Sequence, residues 1–156
     1  MRVLAVIPAR GGSDRVPYLN IRRLGDAPLL AHTLRAAREA KGIDRVIVST
    51  DDETVADVAR AHGAEVPFLR PSELSRDLSS LMPVVRHAVG EAEKTGERAD
   101  VVLVLQATTP FRTARSIEEA LDRVATGRFT AVVSVTSDLS LRWKAEDGRL
   151  KPPFDR

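Results

Sequence analysis

The residues that could do chemistry are concentrated in one loop near the N-terminus. The loop contains two adjacent glycines, a serine and two arginines: Arg10, Gly11, Gly12, Ser13 and Arg15. Glycines let backbone N–H groups approach a phosphate closely, and arginine side chains donate charge-assisted hydrogen bonds to phosphate oxygens. The loop therefore fits a phosphate site. On its own it fits a flexible surface turn with two solvated arginines equally well.

Spacing and composition exclude several other kinds of site. The glycines lack the G-x-G-x-x-G spacing of a dinucleotide fingerprint, and no G-K-[ST] sequence of a Walker A loop occurs. The sequence contains no cysteine, which excludes disulfides, thiolate metal sites and cysteine nucleophiles. His32, His62 and His87 all fall in helical patterns, where packing is a better interpretation than catalysis.

The elements that must position this loop have the pattern of an α/β sheet. Four short apolar runs, at 3–7, 46–48, 101–105 and 131–135, are typical of buried parallel strands. Helical apolar spacing lies between them, which predicts an open, mostly parallel sheet with helices on both faces. Ligands of such sheets bind beyond the carboxyl ends of the strands, where the loop that begins at Pro8 must lie.

Local signals predict where the helices begin. The expected N-caps are Asp26 for the first helix, Asp51 or Asp52 for the second, and Ser116 for the fourth. Pro28 then falls in the first turn of the first helix, and Glu119 completes a capping box with Ser116. Gly63 is expected to end the second helix.

Composition bounds the class of protein. The 156 residues are 43% hydrophobic and 29% charged with a formal net charge of +2, which indicates a globular domain. No apolar run approaches the ~20 residues of a membrane span, and the first run is too short for a signal peptide. A nucleic-acid surface typically has a basic cluster interleaved with aromatic residues, and this sequence contains no such cluster. We therefore expect a cytoplasmic protein that binds neither nucleic acid nor membrane.

Several segments, taken in order, resemble the acylneuraminate cytidylyltransferase family. The first reads IPARGGSDRVPYLNIRRLGDAPLLAHTL, where that family typically has IPARGGSKR and then a Lys-Asn pair. It is followed by VSTDDETVADVARAHGAEVPFLRPSELSRD, then VVLVLQATTPFRT where the family has LLQPTSPLR, and then AVVSV. The resemblance covers residues 1–135, corresponds to the N-terminal two-thirds, and implies a Rossmann-like nucleotidyltransferase fold.

The resemblance also implies a reaction. Members of the family transfer CMP from CTP to a nine-carbon sugar acid, release pyrophosphate and use Mg²⁺. The implied partners are therefore CTP and a nonulosonic, sialic-acid-like sugar acid, with a homodimer as the implied assembly. The family's Mg²⁺-binding aspartates belong to a later segment, so the expected Mg²⁺ has no protein ligand in this sequence.

The resemblance implies roles for particular residues. Nucleotide contacts are expected from Arg10, Gly11, Gly12, Ser13, Arg15, Asn20, Arg70, Ser79 and Ser80, and sugar-acid contacts from Gln106, Thr108 and Thr109. Arg10 is also the expected catalytic residue. Taken singly, Asn20 could form a turn, Arg70 could lie at the surface and Ser80 could cap a helix. Because these residues occur in the same order as the family's motifs, the interpretation as a nucleotide site is favoured over these single-residue alternatives.

Two positions depart from the family pattern. Asp14 and Leu19 stand where the family has lysines, and no lysine precedes Lys41. A carboxylate repels a polyanion, and arginine does not simply replace lysine at a tight phosphate site. We therefore expect weak CTP binding and poor turnover. The alternative is a non-catalytic nucleotide-binding or regulatory domain of the same fold.

The sequence predicts two parts of unequal size. Residues 1–138 are expected to form the nucleotide-binding α/β domain. Residues 141–145 and 149–151 flank a Glu-Asp-Gly turn and predict a hairpin. We expect 139–156 to be the start of a C-terminal or dimerisation segment, which makes the fold truncated relative to the family.

Overall fold

The computed structural model describes residues 1–13, 16–75, 80–96 and 98–135, and the backbone of 144–146 and 149–151. The strands and α-helices follow in the order β1 (Val3–Pro8), β2 (Arg23–Leu24), β3 (Ala27–Pro28), α1 (Leu29–Glu39), β4 (Arg45–Ser49), α2 (Glu53–Ala61), α3 (Leu81–Lys94), β5 (Val101–Val104), α4 (Ala114–Ala125), β6 (Lys144–Glu146) and β7 (Arg149–Lys151). Short 3₁₀ turns occupy Leu19–Ile21 and Ser72–Leu74.

A three-stranded parallel sheet lies at the centre of the described chain. Its order is β4-β1-β5, so β1 is hydrogen-bonded on both sides. Leu4 is opposite Arg45 in β4, and Val3 is opposite Val101 in β5. Three of the four predicted strands and their parallel pairing are therefore confirmed. Because the strands are parallel, their carboxyl ends meet at one edge of the sheet.

Helices cover both faces of this sheet, as predicted. Alternate side chains of a strand point to opposite faces, and β1 uses the two sets differently. One set packs with α1, α2 and α4 in a cluster that includes Val3, Ala5, Ile7, Leu30, Leu34, Val55, Ala59, Ile117 and Leu121. The other set packs with α3 in a smaller cluster of Leu4, Val6, Ile47, Ala88 and Ala92.

The fourth predicted strand is wrong. Residues 131–135 have no strand in the structure, and Val133 and Val135 are 78% and 89% exposed. Among the described residues, β5 pairs only with β1, and Val102 within it remains 38% exposed. The apolar pattern is there, but no strand or helix in the described part of the chain covers this segment. Burial therefore cannot offset the entropy of ordering it.

The predicted start of the first helix is also wrong. Asp26 does not cap α1, because β2 and β3 form a small antiparallel hairpin in which Leu24 is opposite Ala27. The turn between them is Gly25-Asp26, and the positive φ of Gly25 (64°) suits a tight hairpin turn. The helix begins after Pro28, which is its N-cap residue.

The caps of the second and fourth helices can be compared directly with the prediction. Asp52 caps α2, its carboxylate accepting the backbone N–H of Val55 at 3.0 Å, and Gly63 follows the helix with a φ of 81°. The capping box predicted for the fourth helix is wrong. Thr113 is the N-cap of α4, and its hydroxyl accepts the backbone N–H of Ser116 at 3.2 Å. Ser116 therefore lies inside the first turn.

The predicted hairpin near the end of the chain is confirmed. β6 and β7 pair antiparallel, with Lys144 opposite Lys151 and Glu146 opposite Arg149. Its turn residues, 147 and 148, and residues 141–143 lie outside the described part of the chain. The division of the chain at residue 138 stays a prediction. No described helix is both long enough and apolar enough to span a bilayer.

Candidate functional site

A cleft of about 300 Å³ opens where the carboxyl ends of β1 and β5 meet. Its walls come from the ends of these strands, the loop after β1, the segment around residue 70 and the start of α3. The lining residues are Pro8, Arg10, Gly12, Ser13, Leu19, Asn20, Arg70, Leu74, Leu81, Val84, Gln106, Ala107 and Thr108. The structure thus brings together Arg10, Asn20, Arg70 and Gln106, which lie far apart in the sequence.

The charge of the cleft has one sign. Arg10 and Arg70 are the charged residues among the described ones that line it, and no carboxylate does. The two guanidinium groups are close enough for Arg10 to lower the pKa of Arg70 by repulsion. A concave surface with two cations and no lining anion favours a negatively charged ligand.

The loop after β1 is held in place by short-range contacts. Asn20 lies in the 3₁₀ turn Leu19–Ile21, and its amide donates a hydrogen bond to the backbone carbonyl of Arg10 at 2.9 Å. Ser13 accepts the backbone N–H of Val16 at 3.3 Å. Asn20 therefore holds the backbone of Arg10 as well as lining the cleft, a role that its position in the sequence did not reveal.

Arg70 is the buried cation of the site. Its side chain is 3% exposed, and its backbone N–H donates to the carbonyl of Thr50 at 2.7 Å, next to β4. Its guanidinium donates from Nε to Ser75 at 3.0 Å and from Nη2 to Asp51 at 3.4 Å. Burial lowers the pKa of Arg70, while the charge and hydrogen bond of Asp51 raise it. The sequence interpretation of Arg70 as a surface residue is wrong.

Two partners of Arg70 do not stand out in the sequence. Asp51 is one of the two expected caps of α2, but Asp52 is the cap, while Asp51 Oδ1 accepts both Arg70 Nη2 and the backbone N–H of Gly11 at 3.2 Å. Ser75 was not considered at all. The only available signal was its position, five residues after Arg70 and directly after the turn Ser72–Leu74.

The two glycines of the loop have different surroundings. Gly11 is buried and does not line the cleft, and a Cβ added there would lie 2.4 Å from Asp52 Cβ. Gly12 is exposed, lines the cleft, and has nothing within 4 Å of such a Cβ. Close packing therefore requires glycine at position 11, and access to the cleft benefits from it at position 12.

The residues expected to contact the sugar acid divide between two surfaces. Gln106 and Thr108 follow β5 and line the cleft. Thr109 lines a neighbouring apolar groove of about 520 Å³, which Leu19 and Thr108 share with the cleft. The other walls of this groove are Leu24, Leu29, Pro110 and Phe111, and the Phe111 side chain is exposed.

The remaining predicted positions are not part of the described cleft. Ser80 is the N-cap residue of α3 and is exposed, and it has no side-chain capping bond. Asp14, Arg15 and Ser79 lie outside the described residues. Among the residues that the structure describes, no group of three or more His, Asp or Glu side chains could hold a metal ion. The described residues therefore do not form a Mg²⁺ site from protein ligands alone.

Comparison with curated proteins finds sugar-acid cytidylyltransferases. The chain is 43% identical over 143 residues to a CMP-N,N'-diacetyllegionaminic acid synthase of Legionella pneumophila, covering 91% of this chain and 60% of the relative. It is 37% identical to an N-acylneuraminate cytidylyltransferase of Oncorhynchus mykiss, covering 91% of this chain and 32% of that protein. The chain thus spans between about a third and three fifths of these relatives.

Comparison with solved structures and family models agrees with this result. A CMP:2-keto-3-deoxy-manno-octonic acid synthetase complexed with CTP matches with a TM-score of 0.69 at 25% identity, over 81% of this chain and 48% of that chain. A 4-diphosphocytidyl-2C-methyl-D-erythritol synthase shares the fold, with a TM-score of 0.71 at 18% identity, over 99% of this chain and 68% of that one. The family model described as cytidylyltransferase matches residues 4–147, and the chain belongs to that family.

Proposed function

We propose that this chain carries the nucleotide site of an enzyme that transfers CMP from CTP to a nonulosonic, sialic-acid-like sugar acid and releases pyrophosphate. The observation that carries the proposal is the cleft at the carboxyl ends of the parallel strands, lined by Arg10 and Arg70 and by no described carboxylate. A nucleoside triphosphate supplies the negative charge that such a cleft favours. We propose a sugar acid as the second substrate because the relatives are named for such acids.

The proposed reaction is a displacement at phosphorus. A hydroxyl oxygen of the sugar acid attacks the α-phosphorus of CTP, the bond from that phosphorus to the pyrophosphate oxygen breaks, pyrophosphate leaves, and the hydroxyl proton passes to solvent. Catalysis of such a step consists largely of positioning the reactants and stabilising charge on the phosphoryl oxygens. We assign that charge stabilisation to Arg10, which lies in the loop after β1 and lines the cleft.

The other cleft residues hold the two substrates. We assign Gly12, Ser13, Asn20 and Arg70 to the nucleotide, together with Arg15, Ser79 and Ser80 from the family pattern. Gln106 and Thr108 lie on the β5 side of the cleft, which suits the sugar acid, and Thr109 lies in the adjoining groove. We keep Gly11 with the nucleotide loop, whose backbone it holds through Asp51.

Leu19 is the feature that favours the non-catalytic alternative. It lines the cleft at a position where the family has a lysine, so an apolar side chain replaces a cation beside the proposed phosphates. The described residues do not form a Mg²⁺ site from protein ligands alone, and no step of the reaction is assigned to a metal ion. A chain that binds CTP without turning it over would be a nucleotide-binding or regulatory domain.

Several broader features are part of the proposal. We propose a cytoplasmic location, which is consistent with the relatives, and a homodimer, which the family resemblance implies. We also propose that residues 1–138 are the nucleotide-binding domain, because the sheet, its helices and the whole cleft lie within them.

Pyrophosphate release tests the proposed function. The protein is incubated with CTP, N-acetylneuraminate and Mg²⁺, and pyrophosphate is measured with and without the sugar acid. We expect slow release that needs both substrates, and faster release by the double variant Asp14→Lys with Leu19→Lys. Arg10→Ala should abolish the release, and the surface variant Arg115→Ala should leave it unchanged.

Two outcomes would contradict the proposal. CTP binding without sugar-dependent release, in both the original and the double variant, would favour the non-catalytic alternative. Equal release with UTP or ATP in place of CTP would contradict the assignment of the nucleotide.

Rapid turnover by the unmodified chain would show that its arginines replace the two missing lysines.

A further inference from the structure

Asp51 connects the loop after β1 with Arg70. It lies two residues after the end of β4 and one position before the cap of α2, and its side chain is 25% exposed. The same oxygen, Oδ1, accepts the backbone N–H of Gly11 from the loop after β1 and Nη2 of Arg70. Asp51 does not line the cleft. It therefore contacts protein groups of the site, the Gly11 N–H and the Arg70 guanidinium, and does not contact the ligand.

Arg70 requires such a partner because it is buried. A cation whose side chain is 3% exposed is costly unless a carboxylate and further hydrogen bonds compensate it, and removing one partner of such a pair leaves an uncompensated charge. Asp51 and Ser75 hold the guanidinium at two different nitrogens, which fixes the plane of the group. Its orientation toward the cleft is therefore set by residues behind it.

The glycine loop depends on the same carboxylate. Gly11 packs so closely against Asp52 that no side chain fits between them, and its N–H is bonded to Asp51. Gly12 and Ser13, which line the cleft, follow immediately. A change at Asp51 would thus move both the loop and the buried arginine.

We propose that Asp51 is a positioning residue that sets Arg70 and the Gly11–Gly12 loop together for the nucleotide. The proposal rests on the proposed function, since it assumes that this cleft binds CTP. Asp51, which does not line the cleft, compensates the charge of Arg70. It thereby holds the guanidinium in a fixed orientation toward the ligand. The consequence is that the negative charge of Asp51 strengthens CTP binding only while Arg70 is present, since an amide oxygen at position 51 can still accept the N–H of Gly11.

The test is CTP affinity in a double-mutant cycle. Asp51→Asn keeps the shape of the side chain but removes its charge, and we expect CTP binding about tenfold weaker than in the unmodified chain. In an Arg70→Met background, the same Asp51→Asn change should leave CTP binding unchanged or strengthen it, because an uncompensated carboxylate near the phosphates is removed. A purely structural role for Asp51 would give the same loss in both backgrounds and would overturn the proposal.

Asp52→Asn is the matched control. It changes the neighbouring aspartate in the same way, and asparagine also caps helices well, so CTP affinity should stay within about twofold.

Where Asp51→Asn does not fold, Asp51→Glu is used, which keeps the charge but displaces it. It should give a smaller loss with the same dependence on Arg70, and a loss independent of Arg70 would again overturn the proposal.

The outcomes separate this proposal from the proposed function. If CTP binds the unmodified chain and Arg10→Ala weakens that binding, the nucleotide site stands, and the cycle alone decides the role of Asp51. If the unmodified chain does not bind CTP, or binds it independently of Arg10, the proposed function and the role of Asp51 are both overturned.

Discussion

Gly11 and Gly12 are neighbours in the sequence with opposite steric surroundings. An added Cβ at Gly11 meets Asp52 Cβ at 2.4 Å, whereas the same atom at Gly12 meets nothing within 4 Å. We expect Gly11→Ala to lower the free energy of unfolding by about 1–3 kcal/mol, as overpacking does, and Gly12→Ala to change it by less than about 0.5 kcal/mol. Urea unfolding of both variants measures this. Equal stability of the two variants would contradict the packing at Gly11.

Leu19 allows a gain-of-function test at the scale of one residue. Leu19→Lys places an ammonium group in the cleft, and one added contact to an ionised phosphate should strengthen CTP binding about tenfold at low salt. The matched control is Leu24→Lys, which adds the same charge in the apolar groove, outside the cleft lining. Isothermal titration of both variants with CTP is the measurement. An equal gain from both lysines would mean that only net charge changed.

At the scale of single residues, the order of the family motifs predicted which residues meet at the cleft. Arg10, Ser13 and Asn20 line the cleft together with Gln106, as expected for residues in family order, although what they bind stays a prediction. Asp51 could not be distinguished from Asp52, because both are good N-cap residues and only the geometry shows which one faces the helix.

At the scale of elements, α4 offers a direct test of its capping. Thr113 accepts the backbone N–H of Ser116, whereas the hydroxyl of Ser116 donates back to the carbonyl of Thr113 at 2.8 Å. Thr113→Ala should therefore cost about 1 kcal/mol of stability, and Ser116→Ala clearly less. Thermal and urea unfolding check this difference. A larger loss from Ser116→Ala would restore the capping box that the sequence suggested.

The boundaries of elements were predictable only where one local signal acted alone. Gly63 follows the end of α2 as expected, because a left-handed residue leaves few alternatives, whereas the start of this helix was predicted only as one of two adjacent aspartates. The start of α1 differs, since the Gly25-Asp26 pair serves a hairpin and not a helix cap. The same residue types favour turns and caps, so the sequence could not separate them.

At the scale of the molecule, the three strands of the parallel sheet followed from their apolar runs, while 131–135 did not form a strand. The difference lies in tertiary partners, which no local pattern contains. Strand β1 is hydrogen-bonded on both sides and covered on both faces, whereas Val133 and Val135 have no cover among the described residues. A β-branched run predicts a strand only where a neighbouring strand and a packing surface exist.

The central claim is that the cleft at the carboxyl ends of β1 and β5 binds a nucleoside triphosphate through its arginines. Isothermal titration with CTP tests it most directly, comparing the unmodified chain, Arg10→Ala and Arg115→Ala at low and moderate salt. We predict that the unmodified chain and Arg115→Ala bind CTP alike, that Arg10→Ala binds at least about tenfold more weakly, and that added salt weakens the binding. Undiminished CTP binding by Arg10→Ala would contradict the account.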